Sequence, residues 1–106
     1  MSYTMTMTVH YRSGEDEDVR FVELATYNQC IALLAERFAL PLLRTIPYFL
    51  IIGSLEEATQ LIQELETVRK SVHVTCDIES IDEAIHFLRG TLDKNKWEDI
   101  SSIYFW

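Results

Sequence analysis

Four carboxylates fall within seven residues at "DIESIDE": Asp77, Glu79, Asp82 and Glu83. Hard cations such as Mg²⁺ take oxygens of this kind. Asp77 and Glu79, at the end of an expected strand, are therefore the candidate metal ligands. Asp82 and Glu83 have a structural explanation as the acidic first turn of a helix, where carboxylates complement the positive end of the dipole. No partner carboxylate is visible at a matching strand end, so neither a metal nor a cofactor is expected. A second acidic run, Glu15, Asp16, Glu17 and Asp18, lacks the glycine and the spacing of a calcium loop. It is expected to form a solvated hairpin tip or a contact surface.

The groups that could do covalent chemistry are scattered. His10 and His73 fall on the polar faces of their expected strands, and His86 lies one residue off the apolar stripe of a helix. Cys30 and Cys76 sit within apolar patterns, which favours packing over reactivity. The chain contains no G-x-S-x-G, no H-E-x-x-H and no glycine-rich dinucleotide fingerprint. Gly53-Ser54 has the look of a phosphate loop, but Glu56 and Glu57 follow where a lysine would be needed. Those carboxylates would repel a phosphate. No catalytic residue is therefore assigned.

The elements that must position these groups are legible from period and punctuation. Tyr3, Met5, Met7, Val9 and Tyr11 alternate with Thr4, Thr6, Thr8 and His10, the pattern of a half-buried strand. "SGEDED" supplies a turn and Val19 to Leu24 a return strand, an antiparallel hairpin with an acidic tip. Helical spacing follows at Cys30, Ile31, Leu34 and Phe38, then a connector with Pro41 and Pro47 that breaks helix. "YFLII", Tyr48 to Ile52, reads as a strand covered on both faces and hence central. Leu55, Ala58, Leu61, Ile62, Leu65 and Val68 form one helical stripe, with Glu56, Gln60, Gln63, Glu64 and Thr67 pointing away. "SVHVTCDI" alternates again, and Ile81, Ala84, Ile85, Leu88 and Leu92 mark a third helix. Ser102 to Trp106 is expected as a last strand, with a terminal helical turn as the alternative.

Three S/T-x-x-E/Q boxes recur: Thr26 with Gln29, Ser54 with Glu57, and Ser80 with Glu83. In such a box the hydroxyl accepts from the third helical N–H, and the longer side chain reaches back. The expectation is a single α/β domain over residues 1–106. An N-terminal antiparallel hairpin precedes three strand-helix units in a mixed sheet, with parallel strands and right-handed crossovers.

Composition bounds the partners. The 106 residues are 48% hydrophobic, enough for one packed core, and carry 9 Lys+Arg against 17 Asp+Glu, a formal charge of -8. That field repels nucleic acid and anionic membranes. No apolar run approaches the roughly 20 residues of a membrane-spanning helix, and no basic residue precedes an apolar block at the N-terminus. A cytoplasmic protein is expected. Aromatic residues crowd the tail as Trp97, Tyr104, Phe105 and Trp106, and Trp and Tyr dominate interface hot spots.

The functional expectation is a small acidic, non-catalytic protein-binding module of inhibitor, immunity or regulatory type. It would contact a basic partner through Glu15, Asp16, Glu17 and Asp18 together with Trp97, Tyr104 and Trp106. The alternatives are a structural homodimer joined through the C-terminal segment, or a metal-dependent enzyme using Asp77 and Glu79.

Overall fold

The computed structural model describes residues 4–46, 50–72, 75–91 and 97–106. Strands β1 (Thr4–Tyr11) and β2 (Asp16–Glu23) form the expected hairpin. Gly14 takes a left-handed φ of 97° in its turn, a conformation glycine adopts without steric penalty. The Gly14 N–H donates to the Tyr11 carbonyl at 3.0 Å. The turn is shorter than expected, so Asp16, Glu17 and Asp18 belong to the strand and not to a loop.

Helix α1 follows β2 directly. It runs through Leu24–Thr26, a π-helical turn at Tyr27–Ile31, and Ala32–Arg37. Thr26 therefore lies inside the helix and makes no side-chain cap, contrary to the box expected there. The helix ends in a Schellman motif. Leu40 N–H donates to the Ala35 carbonyl at 2.8 Å, Ala39 N–H to that of Glu36 at 3.3 Å, and Ala39 sits at φ 53°. Pro41 then opens the five-residue helix α2 (Pro41–Thr45), in the first turn, where its missing N–H would have had no intrahelical partner.

Strand β3 is only Ile51–Ile52. Of the expected "YFLII" strand, Tyr48 and Phe49 lie outside the described residues. Helix α3 (Leu55–Ser71) starts at the box that sequence placed there. Glu57 N–H donates to Ser54 Oγ at 3.2 Å, and Glu57 Oε1 accepts from the Gly53 N–H at 3.3 Å. The carboxylate thus reaches one residue further back than the usual box.

None of the described residues of "SVHVTCDI" is in the strand expected there. Ser71 ends α3, and helix α4 (Thr75–Thr91) has already begun at Thr75; His73 lies outside the described residues. Ile78 stands three residues before Ile81, so the stripe of Ile81, Ala84, Ile85 and Leu88 extends backward at helical period. Ser80 is consequently half-buried inside α4 and starts nothing. Arg69 Nε donates to Asp82 Oδ1 at 3.0 Å and Arg89 pairs with Glu66, tying α3 and α4 together as an antiparallel pair.

Loss of that strand changes the sheet. With β4 (Ile100–Phe105) the order is β2-β1-β4-β3, and every pairing is antiparallel. The mixed sheet with parallel crossovers is replaced by an antiparallel one in the same α/β class. The last strand is present but occupies a central place, whereas β3, expected in the centre, is an edge. Helices cover one face. Met7, Val9, Phe21, Ile52, Ile103 and Phe105 are buried with Ile31, Leu61, Leu65, Ile81 and Leu88 in one core. Burial of each such side chain is worth about 1.5–3 kcal/mol. Phe21 and Phe105 meet edge to face, 5.1 Å between centroids.

Glu64 corrects a further expectation. It lies on the α3 stripe's flank and was expected to face solvent, yet it is only 4% exposed. Its carboxylate accepts from the backbone N–H of Leu43 at 3.0 Å and of Leu42 at 3.4 Å, and from Gln60 Nε2 at 3.0 Å. The residue before α2 is Leu40, which offers no side-chain oxygen, so Glu64 supplies the missing cap from another helix. The Tyr27 hydroxyl donates to the Leu43 carbonyl at 2.7 Å, so α2 is held at both polar groups of one residue.

Candidate functional site: the open face of the sheet

In an antiparallel pair, directly opposed residues point to the same face. The register therefore assigns the side that the helices leave uncovered. One row across the sheet is Asp18, Thr8, Tyr104 and Ile51, and the next is Asp16, His10 and Ser102. A third row holds Arg20, Thr6 and Trp106. There Thr6 N–H donates to the Trp106 carbonyl at 2.9 Å and Trp106 N–H to the Thr6 carbonyl at 3.0 Å.

This face has two unlike halves. On β2 it carries the exposed carboxylates of Asp16 and Asp18. On β3 and β4 it carries Ile51, 55% exposed, half-buried Tyr104, and Trp106, 48% exposed. At about 4.8 Å per strand, the acidic and aromatic margins are about 10 Å apart. Between them runs β1, whose Thr4, Thr6, Thr8 and His10 are the polar half of its alternation.

A chain of side-chain hydrogen bonds crosses that gap. Trp106 Nε1 donates to Thr8 Oγ1 at 2.7 Å, and the Thr8 hydroxyl donates to Asp18 Oδ1 at 2.8 Å. The indole lies over Thr8, which is left only 2% exposed. His10 Nδ1 contacts Asp16 Oδ1 in the neighbouring row. Trp106 is therefore fixed in orientation while half its surface remains in water.

The acidic run expected to act together is divided by the pleat. Asp16 and Asp18 stand on the open face. Glu15 and Glu17 line a cleft of about 670 Å³ on the helix side, between the hairpin turn and the C-terminal end of α4. Tyr11, His86 and Phe87 line the same cleft. Several of its polar groups hold the fold together. Tyr11 Oη donates to Glu17 Oε1 at 2.8 Å, Arg12 Nε to the Glu98 carbonyl at 3.0 Å, and the Thr91 hydroxyl to the Leu88 carbonyl at 2.7 Å. The hydrogen bond to Glu17, then burial, then the charges of Glu17 and Glu15 hold the Tyr11 phenol above its ordinary pKa.

Trp97 is half-buried and packs against the core ahead of β4, so it does not join the strand face. Phe105 is fully buried. β4 is not an edge strand: β1 pairs with it from Ile100 to Phe105, and β3 pairs with it at Ile103 and Tyr104. Asp77 and Glu79 both lie in α4 rather than at a strand end, and Glu79 is exposed. Among the described residues no group of three or more His, Cys, Asp or Glu is placed to hold a metal ion. Nor is any helix among them long and apolar enough to cross a membrane.

Sequence reasoning found Asp16, Asp18, Tyr104 and Trp106 but not Ile51, His10 or Thr8 as their companions. The alternation of β1 had put Thr8 and His10 on a polar face. What stands opposite them depends on register, which period two does not carry. No family model, curated protein or solved structure matches this chain.

Proposed function

We propose that the chain is a non-catalytic protein-binding module, of inhibitor, immunity or regulatory type, that holds a basic protein partner against the open face of its sheet. The observation that carries this reading is the register joining Asp16 and Asp18 to Tyr104, Trp106 and Ile51 on one face. An apolar and aromatic half supplies the desolvated contact, and an acidic half selects and steers a cationic surface. The chain's formal charge of -8 reinforces the steering and disfavours phosphate-rich partners. A second copy of the chain carries the same charge and is not a basic partner. Cytoplasmic action fits a chain whose two cysteines, Cys30 and Cys76, lie in separate helices.

The test is an amide-shift titration of the ¹⁵N-labelled chain with short lysine- and arginine-bearing peptides, beside a neutral peptide of equal length. The cationic peptides should perturb Thr6, Thr8, His10, Ser102 and Tyr104. Their association rate should fall steeply as salt shortens the screening length below about 10 Å. Shifts confined to the helices, or association indifferent to salt, would refute the reading.

A further inference from the structure

The geometry points to a specific anchor within that face: an arginine side chain of the partner, stacked on the Trp106 indole with Asp18 as its counter-ion. This rests on the functional reading above and names the group that the face selects. Three observations converge on it. Trp106 is 48% exposed, yet its indole is held in one orientation by its N–H bond to Thr8. A guanidinium arriving there meets a preorganised ring, and Trp is the best of the aromatic partners for a cation. Next, the indole N–H and the Asp18 carboxylate are joined through the single Thr8 hydroxyl, by bonds of 2.7 and 2.8 Å. Ring and anion thus lie within reach of one planar cation. Asp18 spends one oxygen on Thr8, and its second oxygen has no protein partner among the described residues.

Among the described residues no cation is paired with Asp18. Arg20 is the cation in the same row as Trp106, with Thr6 between them, and it is turned to Glu23 at 3.3 Å. The cation–ring contact found among the described residues is Arg37 over Phe38, on α1 and its cap. The chemistry prefers arginine to lysine. A flat guanidinium can stack on the ring while its N–H edge donates to a carboxylate beside it, whereas an ammonium is a compact, strongly hydrated point charge.

The experiment follows the Trp106 indole N–H resonance, assigned by its loss in Trp106→Leu, during titration with three acetylated peptides. These carry arginine, lysine or citrulline, the last being the uncharged isostere, at the same positions. The arginine peptide should shift that resonance and bind most tightly, and citrulline should bind least. Asp18→Asn and Trp106→Leu should each weaken the arginine peptide about two- to five-fold while leaving citrulline unchanged. Asp18→Asn keeps an amide oxygen for the Thr8 hydroxyl, so its result stands even if Trp106→Leu disturbs the strand. Equal binding of arginine and lysine peptides, unaffected by either substitution but still mapping to the open face, would overturn the anchor and leave the module intact. Absence of any shift on that face with either cationic peptide would overturn both.

Discussion

Replacing Glu64 with leucine should destabilise the fold by about 2–3 kcal/mol, and the figure can be built from its contacts. The Leu43 N–H, buried and 3.0 Å from Oε1, would lose a charged acceptor. Hydrogen bonds to charged groups contribute about 1.5–3 kcal/mol, and an orphaned buried donor costs about as much. The Leu42 contact at 3.4 Å is long and adds little, and Gln60 is exposed enough to find water instead. Against this, leucine removes the desolvation penalty of a buried carboxylate, which in some proteins exceeds the gain. Here the carboxylate has three donors, two at the N-terminal end of α2, so the loss should win. For a domain of this size the change corresponds to a fall in Tm of about 9–13 °C. Glu64→Gln keeps one acceptor oxygen and should cost about 1 kcal/mol. Urea denaturation gives both values, and hydrogen exchange at Leu42 and Leu43 reports the cap directly. A leucine variant as stable as the parent, or a glutamine variant as damaged as leucine, would show that Glu64 is not what holds α2.

Three other outcomes follow from local geometry. Ser54→Ala removes the acceptor of the Glu57 N–H and should cost about 1 kcal/mol in chemical denaturation; Thr26→Ala, which alters no cap, should cost less. Ala39→Gly should stabilise by about 0.5–1 kcal/mol, since the residue sits at φ 53°, where a Cβ is disfavoured and glycine is not. Thermal unfolding of the two proteins decides it. Tyr11 should ionise above its ordinary 10.0, because deprotonation breaks its bond to Glu17 and sets two anions side by side. Its raised folded-state pKa favours the fold fully below the unfolded value, and that contribution is lost as pH rises through the folded value. Difference absorbance against Tyr11→Phe measures the midpoint, and Glu17→Gln should move it down.

The open face shows why the candidate site was only half legible. Carboxylates at 15 to 18 and aromatics at 104 and 106 stand out in the sequence as unusual for their positions. Their assembly depends on two antiparallel pairings that bring residues nearly a hundred positions apart into one row, through Thr8. The same pairings send Glu15 and Glu17 away from Asp16 and Asp18, so a run that looks like one charge cluster serves two surfaces. Glu64 failed to announce itself for a related reason. Its partners lie 21 and 22 residues earlier in the chain, and a carboxylate at that place on a helix has no local mark of burial.

Local physics alone determined the N-terminal hairpin, the Ser54 start of α3, the apolar stripes of α3 and α4, and the extended tail. Each is a contest between neighbouring residues over dihedral angles, side-chain period and unpaired N–H groups, and all the contestants are written within a few positions of one another. Whether Thr75 to Ile78 became strand or helix, which strand took the centre, and which face stayed bare were decided only in three dimensions. Those outcomes depend on which surface a segment can bury and on which backbone edge accepts its hydrogen bonds, and both are supplied by distant parts of the chain.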